Sequence, residues 1–381
     1  MKINRNFLIL TIVMSIGAFV FSIFDVIFPL YLDYKQISLP KIGIIFALPI
    51  LLSIITRVIV GIQADIRGRK PFYLFSLIGG SLSNFLFIFA NSAWQFLLIN
   101  IFGKFSSAFS DATDHLLIYE SVPKKKAGTA FGRIRGILSI LSFLGTLVAG
   151  SILIFLGYVN TLIFCALFLL IALPIFLKFK ERKRFGKSKY SGLSEVFDFR
   201  SLPRNLKIYT TANFFSGISA SMITAFSIQL FLTKVFGLSP ITLSIVLAGY
   251  TLLYALSSLF LGKLSDIYLP KRVYVYSYIF SAIVLLAIGF SFSAFLVSFF
   301  WMILGALMGM VGPASRKMIN MYARPKFRGR DTNISRAIGS IGDFVGPLLA
   351  GYIGVYGFNL IFIISSIFLT FSAFVMNFVR D

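Results

Sequence analysis

Acidic residues, cysteine and histidine are all scarce in this chain. Its 381 residues include 13 Asp and Glu against 36 Lys and Arg, one cysteine and one histidine. A single Cys165 excludes an internal disulfide, and one histidine cannot complete a multi-His metal site. A membrane enzyme would need a nucleophile with its base or a metal cluster, which this composition does not supply. A Gly-x-x-x-x-Gly-Lys-Ser/Thr loop is also absent. We therefore predict no enzyme activity, no ATP hydrolysis, no cofactor and no bound metal.

Apolar sequence is abundant instead. Hydrophobic residues make up 58% of the chain, charged residues 13%, and the mean hydropathy is +0.90. A soluble core cannot hide that much apolar surface, so the expected solvent is a bilayer. The sequence predicts an all-α membrane protein with twelve transmembrane helices. These lie near 7–32, 42–64, 72–91, 94–117, 129–156, 159–177, 207–232, 241–262, 273–292, 295–315, 332–356 and 358–379.

The net charge of +23 is distributed between the apolar runs. With the N-terminus in the cytoplasm, 31 of the 36 Lys and Arg fall on the cytoplasmic side. This asymmetry predicts a multi-pass protein of the plasma membrane with both termini cytoplasmic. It also explains the basic composition without a nucleic-acid partner, and we expect none.

One long polar segment, 178–207, separates spans 6 and 7. It predicts an N-terminal six-helix half at 1–177, a cytoplasmic linker at 178–207 with an amphipathic piece near 193–206, and a C-terminal six-helix half at 208–381. The expected oligomeric state is a monomer.

The two halves repeat one another at an offset of 201 residues. A charged segment at 61–70 recurs at 262–272, with Gly and Asp four residues apart followed by basic residues. Without gaps, the offset also pairs Ala47 with Ala248, Gly128 with Gly329, Arg135 with Arg336, Gly145 with Gly346, and Gly150 with Gly351. Two six-helix halves of the same topology are therefore expected to be related by an axis along the membrane normal.

The first charged segment resembles the loop 2–3 signature of the major facilitator superfamily. The matching residues are Gly61, Asp65, Gly68, Arg69 and Lys70, whereas Ile66 stands where arginine is common. An exporter signature in span 5 is partial, because Thr146 replaces its proline. The resemblance covers the whole chain and implies alternating access, with spans 1, 4, 7 and 10 lining a central cavity.

The charged segments are candidate gates. Unpaired N–H groups make a helix N-terminus positive, so an aspartate facing one can hold a gate closed. We expect Asp65 to face the start of span 11 near Arg336, and Asp266 to face the start of span 5 near Arg135. The remaining members would add ion pairs or contacts with anionic lipids, unless they serve only as turns and topology determinants. The full set is Gly61, Asp65, Gly68, Arg69, Lys70, Gly262, Asp266, Lys271, Arg272, Arg135 and Arg336.

Ionisable groups inside spans cost several kcal/mol or more, so they are candidates for function. Lys104, Asp111 and His115 lie on one face of span 4, and Asp25 lies on the small, polar face of span 1. Asp25 is a candidate proton or substrate site, and Lys104 would neutralise an acid or bind an anion. Three further candidates complete the set, namely Arg57 in span 2, Asn213 in span 7 and Asp343 in span 11.

Each candidate has a structural alternative. Asp343 could form a buried pair with Arg57 instead of a proton site. Asp114 and His115 lie near the cytoplasmic end of span 4, where a solvated helix end is the expected structure.

The sequence thus predicts a secondary transporter of a small solute, with protons as the expected coupling ion. Proton-coupled export of an amphipathic or drug-like compound is the narrower prediction, supported by the charge-poor, aromatic interior and by Asp25. The alternatives are uptake of a specific metabolite or anion at Lys104 and Arg57, or a sensor that binds without transport.

Replacing the gate acid tests the first charged segment. Asp65→Asn removes the charge that would hold the gate, so the resting conformation should shift and transport should fall at unchanged expression. Cysteine accessibility at the two mouths of the cavity measures the shift. Unchanged accessibility at both mouths would contradict the gate role.

Overall fold

The computed structural model describes residues 5–123, 127–181 and 198–380, of which 58, 62, 65, 66, 127 and 128 are described by backbone alone. This part of the chain is helical apart from short connections. Its thirteen α-helices are α1 Arg5–Tyr34, α2 Leu39–Arg67, α3 Lys70–Leu86, α4 Ala93–Ser121, α5 Ala127–Leu177, α6 Arg204–Thr224, α7 Ser227–Leu230, α8 Pro240–Phe260, α9 Leu264–Ile267, α10 Pro270–Gly289, α11 Ala294–Tyr322, α12 Arg328–Ile353 and α13 Phe358–Met376.

The long helix α5 consists of two spans. Gly157 has φ 73° and ψ 172°, which is not helical, so it divides the 51-residue element. Glycine suits this point because it carries no Cβ to oppose a positive φ. With α5 counted as two and α6 with α7 as one, the described residues contain twelve segments of spanning length, consistent with the prediction.

Nine helical stretches in the described part of the chain are long and apolar enough to cross a membrane, the undivided Thr129–Leu177 being one of them. Two further helices, α4 and α12, have 29 and 26 residues and thus the necessary length. Both carry charged side chains, including Lys104 and Asp111 on α4. Since intramembrane charge is costly, these two helices are where function is most expected.

The chain divides into two compact units. The first comprises 1–35 and 48–191, and the second comprises 36–47 and 192–381. Residues 182–197, which include most of the predicted linker, lie outside the described residues. Helix α6 begins at Arg204, before the predicted start of the second half at 208.

Each unit contains a pair of helices in close contact at a glycine. In the first unit α1 packs along α5, where a Cβ on Gly145 would lie 2.5 Å from the carbonyl oxygen of Phe19. In the second unit α6 packs along α12, where a Cβ on Gly346 would lie 2.5 Å from the carbonyl oxygen of Ile218. Small residues permit this approach of two backbones in a membrane. The repeat read from the sequence is therefore also a repeat of packing.

A second repeated device connects the first and last helices of each unit. The Asn6 amide donates to the Lys180 carbonyl at 2.7 Å and accepts from the Lys180 N–H at 3.2 Å. In the second unit the Asn205 amide binds both backbone groups of Arg380, at 2.8 and 3.3 Å. An asparagine amide can donate and accept at once, so each one binds both the N–H and the C=O group of a residue that follows the last helix of its unit.

Span 7 is interrupted, whereas the sequence predicted a continuous helix. The backbone leaves helical geometry at Phe226, which has φ −158° and ψ −13°, and resumes as α7 followed by a π-helical turn over Phe231–Val235. The Ser227 hydroxyl donates to the Met222 carbonyl at 2.5 Å. Such a hydroxyl partly replaces the backbone bonds that an interrupted membrane helix loses.

The glycine contact between α1 and α5 can be tested by adding one methyl group. Gly145→Ala places a Cβ against backbone that cannot move cheaply, so it should destabilise the protein by about 1–3 kcal/mol. The matched control is Gly136→Ala on the same helix, where a Cβ meets nothing within 4 Å. That change should be neutral or stabilise by up to about 1 kcal/mol.

Cys165 is a convenient reporter because it is the only cysteine and is buried. A thiol-reactive fluorophore should label it only as the protein unfolds on heating. Equal midpoints for both variants would contradict the packing described for Gly145.

Candidate functional site

Charged side chains from four helices of the first unit form one group, which we call the coupling cluster: Asp25, Arg57, Lys104, Asp111, Asp114, His115 and Arg135. On α4, Asp111 interacts electrostatically with the cations of the group, namely Arg57, Lys104, His115 and Arg135. Asp25 on α1 interacts with Lys104. The fold thus places five of the candidate residues found in the sequence within electrostatic range of their neighbours.

The exposed members of the coupling cluster are those best suited to meet a solute. The side chains of Asp25, Lys104 and Asp111 are exposed in the structure. Arg57 is half-buried, and its guanidinium donates to the carbonyl and hydroxyl oxygens of Ser53 at 3.2 and 3.3 Å. Arg57 is therefore held in position by its own helix, while Lys104 lies between two acids on a flexible stem.

Asp114 and His115 differ in exposure. A solvated helix end was expected for Asp114 and His115, and His115 is indeed exposed, with its ring 5.6 Å from that of Phe131. Asp114 is half-buried, and its Oδ1 atom is inaccessible to solvent with no hydrogen-bond partner among the described residues. Position along the helix does not show this, because it does not show which face a neighbouring helix covers.

In the second unit, two candidates lie at the contact between α6 and α12. The Asn213 amide lies against Gly339, where a Cβ would be 2.1 Å from its Nδ2 atom. The Asp343 carboxylate lies against Gly217, at 3.1 Å from the position of a Cβ there. Two residues taken from sequence as cavity candidates thus fit beside glycines of the neighbouring helix.

Aromatic side chains fill the interior near these residues. The rings of Tyr274 and Tyr278 are 4.4 Å apart, and the Tyr274 hydroxyl lies 3.1 Å from that of Ser372. Tyr250 stacks on Trp301 at 4.7 Å, and both Trp301 and Tyr274 are buried. The interior of the second unit thus contains a group of buried aromatic side chains that carry polar atoms.

The first charged segment makes a network with the end of α5. Gly68 has φ 91°, a turn that favours glycine, and the chain then enters α3 at Lys70. The Glu181 carboxylate accepts from the backbone N–H groups of Arg69 and Lys70 at 2.5 and 3.2 Å. A carboxylate here caps the positive N-terminus of α3. The Arg69 guanidinium also forms an ion pair with Glu120 at the end of α4.

The lysines of the two charged segments make equivalent contacts. The Lys70 ammonium donates to the carbonyl oxygens of Leu177 and Phe179 at 2.7 and 2.8 Å. The Lys271 ammonium donates to the carbonyl oxygen of Val379 at 2.6 Å. Each lysine therefore satisfies carbonyls at or beyond the end of the last helix of its own unit, where intrahelical partners are missing.

The aspartates of the charged segments are described unequally. Asp65 lies in the last turns of α2, and its side chain is outside the described residues. Asp266 forms an ion pair with Lys317 of α11 at 2.9 Å, and the same ammonium donates to the carbonyl of Ser265 at 2.6 Å. The Asp266 side chain is 74% exposed, so this pair contributes little stability.

An ion pair that the sequence did not single out closes the turn before α12. The Arg324 guanidinium donates to both carboxylate oxygens of Asp331, at 2.6 and 3.0 Å, and its backbone N–H donates at 3.0 Å. Asp331 is fully buried in the first turn of α12. Burial alone would raise the pKa of Asp331, but these bonds from Arg324 hold the pKa below its ordinary value of 3.8.

Three of the contact residues were not predicted as site residues. Glu181 lies within the predicted linker at 178–207, and the sequence analysis assigned no role to Arg324 or Asp331. One signal in the sequence could have indicated these contacts: Glu181 and Asp331 are acidic residues in segments that otherwise contain mainly Lys and Arg. The sequence does not show which of the many nearby cations an acid meets.

Helices of spanning length, paired halves and charges held within the helices define a multi-pass membrane carrier. A family model described as Major Facilitator Superfamily matches residues 10–207 and 209–381. The chain therefore belongs to the major facilitator superfamily, and it is a transporter of small molecules rather than an enzyme.

Named relatives agree with this assignment. The chain is 25% identical to the multidrug resistance protein MdtG of Escherichia fergusonii, covering 97% of this chain and 93% of that protein. It is 27% identical to MdtG of Proteus mirabilis, covering 90% and 87%.

Solved structures show the same fold. A bacterial homolog of the human lysosomal transporter Spinster superposes with a TM-score of 0.85 at 15% identity, covering 100% of this chain and 97% of that one. The nucleoside transporter NupG superposes with a TM-score of 0.81 at 14% identity, covering 100% of both chains. The predicted all-helical fold of the superfamily is confirmed.

The Arg324–Asp331 pair predicts a pH-dependent stability. Because the pKa of Asp331 is lowered in the folded state, its stabilisation is complete above the unfolded value of about 4 and is lost as the pH falls through the lower folded value. Wild type should therefore lose thermal stability in that acidic window, and Asp331→Asn should lose less. Tryptophan fluorescence on heating, which needs no reactive thiolate, measures both.

At neutral pH, Arg324→Gln leaves a buried carboxylate without its cation. It should destabilise by about 3 kcal/mol, the lower end for breaking a buried pair, because Arg324 is partly exposed. The exposed neighbour Arg328 supplies the control Arg328→Gln. Equal midpoints for these two variants would show that the pair does not stabilise α12.

Proposed function

We propose that this transporter exports amphipathic, drug-like compounds in exchange for protons. The observation that carries the proposal is the coupling cluster, in which exposed acids on α1 and α4 lie within electrostatic range of a single lysine. The relatives named as multidrug resistance proteins support the substrate class. The exporter signature in span 5 is only partial, because Thr146 replaces its proline, and this departure is evidence against the assignment to drug exporters.

The coupling cluster can link proton binding to a change in pairing. When an acid near Lys104 binds a proton, its attraction for the ammonium is lost, and the lysine is free to pair with the other acid. A cationic or polar group on the substrate can replace the lysine at Asp25. Proton binding and substrate binding thereby shift the same equilibrium, between Lys104 paired with one acid and Lys104 paired with the other. Alternating access requires such a shift between two states.

The charged segments would set when the transporter opens. Asp65 and Asp266 are proposed as gate residues that favour one state by lying near helix N-termini. Arg69 and Lys70 fasten the first segment to α4 and to the end of α5, so this segment should move with its own unit as one body. A rigid segment suits a gate, because a small rotation of the unit would then break all of the contacts that the segment makes at the gate at the same time.

The membrane setting follows from the same charges. We place the chain in the plasma membrane as an antiporter with both termini in the cytoplasm, since the basic segments fall on one side. Their exposed lysines and arginines would contact anionic lipids. We expect a monomer, because each half of the chain supplies its own six-helix bundle.

A second candidate is uptake of a specific small anion. It is favoured by the exposure of Lys104 and by Arg57, which Ser53 holds in place within range of Asp111. A site of this kind would bind its ligand by two cations and would not need a lipophilic substrate.

Growth in an efflux-deficient host separates these functions. Wild type should confer resistance to several unrelated lipophilic compounds, and a protonophore should abolish it. Asp25→Asn and Asp343→Asn should reduce resistance at unchanged expression, because each removes an acid within a span. The matched control is Asp33→Asn, an acid at the end of α1 outside the coupling cluster.

Three results would contradict the proposal. Resistance that survives the protonophore would exclude proton coupling. Full resistance in both acid variants would exclude Asp25 and Asp343. A well-expressed wild type without any resistance would favour uptake, and thermal stabilisation by small anions would then identify the ligand.

A further inference from the structure

Two carboxylates lie close together in the C-terminal half of α4. Asp111 and Asp114 are three residues apart on this helix, a spacing that places side chains on one side with Cβ atoms about 5–6 Å apart. They differ in environment. Asp111 is exposed, whereas the Oδ1 atom of Asp114 is inaccessible to solvent and has no hydrogen-bond partner among the described residues. The pair thus has one exposed member and one half-buried member with a buried oxygen.

Asp114 interacts electrostatically with Asp111, with Arg135 of α5 and with Tyr73 of α3. Tyr73 is only 4% exposed, and its ring lies 4.4 Å from that of Phe176. The titratable or charged groups facing the carboxylate pair from α2, α3, α4 and α5 are Arg57, Tyr73, Lys104, His115 and Arg135.

A buried carboxylate oxygen without a donor is costly when it is charged. A second carboxylate one turn away adds repulsion, and two acids that share a site resolve it by holding one proton between them. The cations of the cluster reduce this repulsion mainly at Asp111, since four of them act on Asp111 and one of these acts on Asp114. The geometry therefore favours the proton at Asp114.

We infer that Asp111 and Asp114 together form the proton-carrying site, with Asp111 as the entrance and Asp114 as the store. This inference rests on the proposed proton coupling and assigns it to particular atoms. A proton from water binds a carboxylate oxygen of Asp111 and passes to Asp114, leaving Asp111 ionised. Return to water follows the reverse order, so the charge balances at each step. Asp25, which lies outside the pair, remains for the substrate.

Binding and release are tied to the cations of the cluster. When Asp111 is ionised it attracts Lys104, Arg57 and Arg135, which lie on three different helices. When the pair gains a proton, that attraction weakens. The state of one proton on α4 therefore changes the attraction between α4 and the helices α2 and α5, and this coupling is what a proton-driven carrier needs.

Infrared spectroscopy tests the inference with the proton itself as the probe. The full chain is purified in lipid nanodiscs, and the carbonyl stretch of protonated carboxylic acids is followed through a pH titration in water and in D₂O. Wild type should show a deuterium-sensitive band that persists at neutral pH. Asp114→Asn should lose it, whereas Asp33→Asn and Asp25→Asn should retain it.

Asp111→Asn is the variant that separates proton carriage from a structural role. It leaves Asp114 in place but removes the neighbouring charge, so the band should persist to a less alkaline pH than in wild type. A merely structural Asp114 would not respond in this way. This variant also keeps the test valid if Asp114→Asn fails to fold, which labelling of Cys165 would reveal.

The outcomes distinguish this inference from the proposed function. A wild type without such a band, or a band unchanged in both Asp111→Asn and Asp114→Asn, would overturn the assignment to this pair. Protonophore-sensitive resistance would leave proton-coupled export standing in that case. Loss of the band only in Asp25→Asn would move the proton to α1 instead.

Discussion

The cost of leaving a polar group unsatisfied in a bilayer is the constraint on which this structure depends. Backbone N–H and C=O groups avoid this cost by hydrogen bonding to each other in helices, so the described parts of the spans are helical apart from short interruptions. At the interruption at Phe226, the Ser227 hydroxyl donates to a backbone carbonyl. Helix ends avoid the cost through side chains such as Glu181, Lys70 and Lys271. The charges that remain inside spans are expensive; those of the first unit include the coupling cluster, and Asp343 lies within α12 of the second unit.

The two units share the same contacts between helices but differ in their charged and aromatic side chains. Within each unit, two helix backbones come close together at an equivalent glycine. Within each unit, an asparagine of the first helix also hydrogen-bonds to the chain just after the last helix. The coupling cluster of charges lies in the first unit, and a group of buried tyrosines lies in the second. Under the proposed function, the coupling cluster would carry the protons.

The proposed mechanism assigns a different part of that framework to each task. The charged segments are fastened to their own units, so they should transmit motion without deforming. The coupling cluster holds one lysine between acids on α1 and α4, which makes the pairing sensitive to a single proton. Two states that differ by one proton and a few ion pairs differ by little free energy, as an exchanger driven by an ion gradient requires.

The sequence by itself determined the helical membrane fold, the repeat at an offset of 201 and the superfamily, because these depend on hydropathy and on local patterns of glycine and charge. It also found Asp25, Arg57, Lys104 and Asp111, since any charge within an apolar run stands out. Only the tertiary structure decided that one carboxylate oxygen of Asp114 is buried, that Glu181 caps α3 and that Arg324 holds Asp331. The physical reason is that burial and pairing depend on which helix covers each face, and nothing in the order of residues along one helix shows that.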